Sequence, residues 1–80
     1  MTNIQYNLIN LRKQLKLTQK QTADKLGIKQ PTYAAYEEGR AEPSYLVMLK
    51  IESFYSITFK DLVSRKLTIE TKTFSIITVK

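Results

Sequence analysis

TQKQTADKLGIKQPTYAAYEEGR, residues 18–40, is the stretch that decides how this chain folds. It reads as two short helices joined by a tight turn. The first is expected over Gln19–Leu26. Thr18 is placed to cap it, and Gln21, three residues on, completes a capping box. Gly27 stands where the helix must end and the backbone must turn to positive φ. Ile28 is an apolar plug after the turn. The second helix is expected to open at Lys29 or Gln30, with Pro31 in its first turn, where a missing N–H costs nothing. It should run to about Glu38 and stop at Gly39. Ala23, four residues before Gly27, is small enough for the two helices to cross closely.

Working outward, Ile4, Leu8, Leu11 and Leu15 form a helical stripe, so a helix is expected over residues 4–15, with 1–3 frayed. Arg12, Lys13 and Lys16 suit its C-terminal end. Leu17 is expected to pack under the turn that follows. Residues 39–43 read as a loop. Ser44 can cap a helix over Tyr45–Tyr55, with Tyr45, Met48, Ile51 and Tyr55 as its core stripe. Glu52 falls on or beside that stripe, which calls for a rotated helix or a basic partner. Leu46, Val47 and Phe54 are apolar at positions expected to be exposed, which points either to a partner surface or to a wider core. Thr58 can cap a last helix over Phe59–Ser64, with Asp61 in its first turn and Leu62 and Val63 closing the core.

The tail changes character. KLTIETKTFSIITVK is rich in Thr, Ile and Val and alternates apolar with polar residues, so it reads as a strand over roughly residues 66–79. A lone strand leaves an open edge. Pairing with the same strand of a second copy, packing back on the helices, or linking to further material would each satisfy it. The fold class expected is all-α with five helices and a C-terminal β-strand extension. The division is residues 1–64, with the two-helix unit at 19–38, and 65–80.

Eighty residues allow one domain with a modest core, and 42% hydrophobic residues suffice for it. The formal net charge of +6, with a pI near 9.7, is compatible with nucleic acid or an anionic membrane as partner, and equally with a merely soluble basic domain. With no cysteine and no histidine, a disulfide framework, a Ser-His-Asp triad and an ordinary zinc site are excluded. Two glycines cannot build a phosphate-cradling loop, and Glu37 and Glu38 point to different helix faces. No enzyme activity, cofactor or metal is expected. No membrane-spanning run and no signal-peptide layout is visible, so a cytoplasmic, nucleoid-associated protein is expected.

Gln19, Ala23, Gly27, Ile28, Thr32, Tyr33, Tyr36, Glu37, Gly39 and Pro43-Ser44 together resemble the Cro/CI-type (XRE) helix-turn-helix family, the lambda-repressor-like DNA-binding domains. The resemblance spans roughly residues 8–62. It implies a five-helix DNA-binding domain whose third helix enters the major groove. By resemblance, Gln19 meets a DNA phosphate at a helix N-terminus, with Lys20 beside it. Lys29, Gln30, Pro31, Ala34, Ala35 and Glu38 occupy the groove-facing positions, whereas Tyr33, Tyr36 and Glu37 face the core. Gln30 can make a bidentate contact to adenine, and Lys29 can reach guanine or phosphate. Ala34 and Ala35 suit thymine methyls or close approach, and Thr32 suits a phosphate or a base-edge acceptor. Arg40 either meets the backbone or an adjacent minor groove, or is solvated. By resemblance too, Arg12 pairs with Glu37 and locks the first helix to the third; otherwise Arg12 is solvated or near a phosphate. Thr22 departs from the family pattern, where leucine is common, and Tyr33 or Tyr36 can fill the space.

The function expected is a homodimeric regulator, a repressor that binds an inverted repeat in double-stranded DNA. The competing reading is an antitoxin-like interaction module whose C-terminal segment binds a protein partner.

Overall fold

The computed structural model describes residues 2–67, and every element among them is a helix. The order is α1 (Asn3–Gln14), α2 (Gln19–Leu26), α3 (Gln30–Glu38), α4 (Tyr45–Tyr55) and α5 (Phe59–Ser64). The strand expected over 66–79 lies, from residue 68 onward, outside the described residues.

Four of the five helices start on a hydroxyl. The Thr18 side chain accepts from the Gln21 N–H at 3.0 Å, and the Gln21 carbonyl oxygen accepts from the Thr18 N–H at 2.9 Å, closing the capping box. Thr2 and Gln5 close a second one on α1. Residues 2 and 3 are therefore held where fraying was expected, because Thr2 satisfies N–H groups that would otherwise be orphaned. Ser44 accepts from Val47 and Thr58 from Asp61. Only α3 has no side-chain cap, and Pro31 sits in its first turn.

Helix ends share one device. Lys16, Gly27, Gly39 and Ser56 each take positive φ, at 61°, 71°, 78° and 58°. The next residue's N–H then reaches back into the finished helix, as Leu17 to Arg12, Ile28 to Ala23, Arg40 to Ala35 and Ile57 to Glu52.

Leu8, Leu11, Ala23, Leu26, Tyr33, Tyr36, Met48, Ile51, Tyr55, Ile57 and Leu62 form the core. α2 packs on α3 and α4, and α1 packs on α3 and α5. Three expected core residues fall outside. Leu15 ends α1 rather than lying within it and is 37% exposed. Tyr45 opens α4, where side chains slant back past the helix end, and is 76% exposed. Val63 is turned about 100° from Leu62 and stays exposed. Conversely, Val47 and Phe54 pack against the core, which is wider than one stripe. Glu52 has no ion-pair partner among the described residues, and α4 is rotated, with Val47 and Phe54 turned inward and Tyr45 outward. Its carboxylate accepts the Phe59 N–H and so tops the start of α5.

Asn7 has no exposed surface, yet all its polar atoms are used. Its Nδ2 donates to the carbonyls of Leu62 at 2.7 Å and Arg65 at 2.9 Å, and its Oδ1 accepts from the Leu67 N–H at 2.7 Å. Leu67 is thereby drawn into the core, 3% exposed. The core therefore runs to residue 67, three residues past the boundary expected at 64.

Candidate nucleic-acid interface

α3 shows two faces that its sequence makes different. Tyr33, Tyr36 and Glu37 are buried against the other helices, while Lys29, Gln30, Pro31 and Thr32 are exposed at its start. The Tyr33 hydroxyl donates to the Leu8 carbonyl at 3.4 Å, and its ring meets Tyr36 edge-on.

Ala34 and Ala35 correct the expectation of an open helix face. They are 8% and 7% exposed. A methyl reaches less far than the longer side chains around it. The Arg40 and Ala41 N–H groups both donate to the Ala35 carbonyl and close the end of the helix. The exposed residues of α3 are thus those of its first turn and Glu38 at its end.

Beneath that turn lies a polar chain. Arg12 grips Glu37 with two bonds, Nε to Oε2 at 2.6 Å and Nη2 to Oε1 at 3.1 Å. Its Nη1 donates to the Leu17 carbonyl at 2.9 Å, so the same guanidinium also holds the α1–α2 turn. Gln19 Nε2 donates to Glu37 Oε1 at 3.0 Å, and Gln30 Nε2 donates to Gln19 Oε1 at 3.2 Å. Four residues from three helices are linked from the interior out to the surface.

The charges in this chain are held firmly. Burial works to raise the Glu37 carboxyl, but hydrogen bonds from Arg12 and Gln19 outweigh it and hold the group below its usual value. The bond to Glu37 raises Arg12 despite burial. Burial, then the neighbouring carboxylate, pushes the Tyr33 phenol far up, so it stays neutral.

The remaining candidates lie on the surface. Lys20 is exposed and 3.6 Å from Asp24, one turn on in α2. Arg40 pairs with Glu38 at 2.7 Å, both well exposed, and such a pair is worth little in water. Both cations can exchange these partners for a phosphate. Lys16 and Lys29 stand exposed on either side of α2 in the sequence. No group of His, Cys, Asp and Glu among the described residues could hold a metal ion. No described helix is long and apolar enough to cross a membrane.

Sequence reasoning missed Asn7, the Gln19–Glu37 bond and the Gln19–Gln30 bond. Asn7 gave one signal, a polar residue beside Leu8 on an apolar stripe, but its partners lie 55 to 60 residues away.

A family model described as Helix-turn-helix matches residues 8–62. The chain is 48% identical over 52 residues to the uncharacterized HTH-type transcriptional regulator YqaE of Bacillus subtilis (strain 168), covering 65% of this chain and 45% of that protein. It is 34% identical over 55 residues to the cryptic phage CTXphi transcriptional repressor RstR of Vibrio cholerae, covering 69% and 50%. It is 37% identical over 46 residues to the uncharacterized HTH-type transcriptional regulator MJ0272 of Methanocaldococcus jannaschii, covering 58% and 70%. The chain spans about half the length of the first two of these relatives. No solved structure matches it.

Proposed function

The chain belongs to the XRE-type helix-turn-helix family, and from that premise we propose that it is a transcriptional regulator, a repressor, that binds double-stranded DNA through the first turn of α3. The observation that carries this reading is the exposed Gln30 amide, held at the surface by Gln19 beside the N-terminus of α2. Gln30 reads a base edge, and Lys29 and Thr32 flank it. Gln19, Lys20 and Arg40 grip phosphates, and Pro31 sets the angle at which α3 enters the groove. Arg12 and Glu37 keep α1 and α3 in register beneath the interface.

We further propose a homodimer on an inverted repeat. The domain's longest dimension is 29 Å, less than the ~34 Å between successive major-groove sites on one DNA face, so two half-sites need two copies. The pairing extension, expected at 65–80, is taken to begin after Leu67, where the domain ends. A regulator of this kind works in the cytoplasm, on the nucleoid.

Gln30→Ala tests the base-reading role. Its preference for the selected site should fall by about 1–3 kcal/mol while non-specific affinity holds. Equal loss on both kinds of DNA would remove Gln30 as a base reader. An antitoxin-like module remains the second reading, favoured by the exposed apolar side chains Tyr45, Leu46, Leu49 and Phe59 along α4 and α5. A stable protein complex indifferent to Gln30→Ala would put that reading first.

A further inference from the structure

Glu37 is only 5% exposed, yet it stands at the root of the chain that ends in Gln30. A carboxylate can only accept hydrogen bonds. The side of the Gln19 amide that faces Glu37 must therefore be its Nε2, which turns Gln19 Oε1 toward Gln30. Gln30 must then answer with its own Nε2. Each glutamine amide is a reversible group by itself, with donor and acceptor almost the same size. Here the reversal is blocked twice over by one charge.

Resting on the base-reading role given to Gln30 above, we propose that Glu37 is a specificity-determining positioning residue. Its carboxylate polarises the Glu37–Gln19–Gln30 chain and so fixes which way round the Gln30 amide meets the bases. One Gln30 N–H is used on Gln19. A second N–H and the Oε1 are left, a donor beside an acceptor. That pair matches the N7 acceptor and N6 donor of adenine. Guanine offers acceptors at both N7 and O6, so one of them would face Gln30 Oε1, acceptor against acceptor. A reversed chain would turn Gln30 Oε1 back to Gln19 and leave both Nε2 hydrogens outward, which suits guanine. The buried carboxylate thus selects adenine over guanine without touching either.

The test uses full-length protein and a site selected by it from random-sequence DNA. In Glu37→Gln the root group can donate or accept, and the polarity is lost. Its preference for adenine over guanine at the base read by Gln30 should fall about tenfold, more than its affinity for non-specific DNA falls. Arg12→Lys keeps the carboxylate and its Gln19 bond; it should lower the melting temperature and keep the preference. Equal loss of preference in both variants overturns the proposal, since fold integrity would then account for it. In the DNA-free protein, the Gln30 side-chain amide signals in nitrogen-15 spectra should move in folded Glu37→Gln, although residues 30 and 37 do not touch. Unmoved signals also overturn it. Gln30→Ala is run alongside. If that variant keeps the preference, the base-reading role itself fails. If it loses the preference while Glu37→Gln keeps it, only the positioning role fails.

Discussion

Glu37 accepts from Arg12 and Gln19 with one carboxylate, and its ionisation is coupled to folding through both. Its folded pKa is depressed, so the stability it contributes is fully present above the ordinary glutamate value of about 4.3 and is lost as pH falls through the lower folded value. Urea melts should show wild type well above Glu37→Gln at neutral pH, with the gap closing in acid. A gap that stays constant down to pH ~2 would separate Glu37 from acid unfolding. Thr22 makes the opposite case. It is fully buried, and its hydroxyl finds no partner among the described residues. Thr22→Val keeps the shape and removes the unsatisfied group, so it should stabilise the domain by about 1 kcal/mol in a thermal melt. The sequence marked Thr22 as a departure from the family pattern. Its consequence, a buried hydroxyl without a bond, depends on neighbours that no spacing reveals.

Each element ends legibly where glycine supplies the turn. The bounds of α2, α4 and α5 follow from the caps Thr18, Ser44 and Thr58, and the stops at Gly27 and Gly39 from their residue type. Lys16 and Ser56 take the same left-handed geometry without that signal, because tertiary packing overrides the ~1 kcal/mol cost. The two glycines are not equivalent. A Cβ on Gly27 would meet only the Lys50 ammonium at 3.5 Å, an ordinary contact. A Cβ on Gly39 would sit 2.5 Å from Gln5 Nε2, whose side chain is already committed to capping α1. Gly27→Ala should therefore lose about 1–2 kcal/mol, the backbone cost alone. Gly39→Ala should lose more and loosen the start of α1, visible as faster hydrogen exchange there. Equal losses would show that Gln5 moves aside freely. The outer surface of α3 was less legible: helical periodicity put Ala34 and Ala35 on the face opposite Tyr33, but periodicity does not register how little of a short methyl stays exposed between longer neighbours.

For the molecule as a whole, the five helices were readable from caps and apolar spacing, and the extent of the domain was not. Asn7 fixes it from the far end of the chain, by bonding three backbone groups beyond α5's middle. A chain cut after residue 67 should fold and run as a monomer in light scattering, beside a full-length dimer of twice 9.3 kDa. Cutting after 64 removes Leu67 and leaves Asn7 Oδ1 unpaired, which should cost about 2–4 kcal/mol in urea melts. A dimeric 1–67 chain would move the pairing surface to α4 and α5. Equal stability of the two truncations would return the boundary to residue 64.

The same asparagine sets where the chain is moored. Whatever follows Leu67 is fastened to α1, the first helix, rather than to α5, the last one. α1 also carries Arg12, whose guanidinium holds α3 through Glu37. A pull on Leu67 therefore travels five residues along one helix, from Asn7 to Arg12, before it reaches the clamp on α3. Leu67 is thus, in mechanical terms, moored close to α3 and not remote from it.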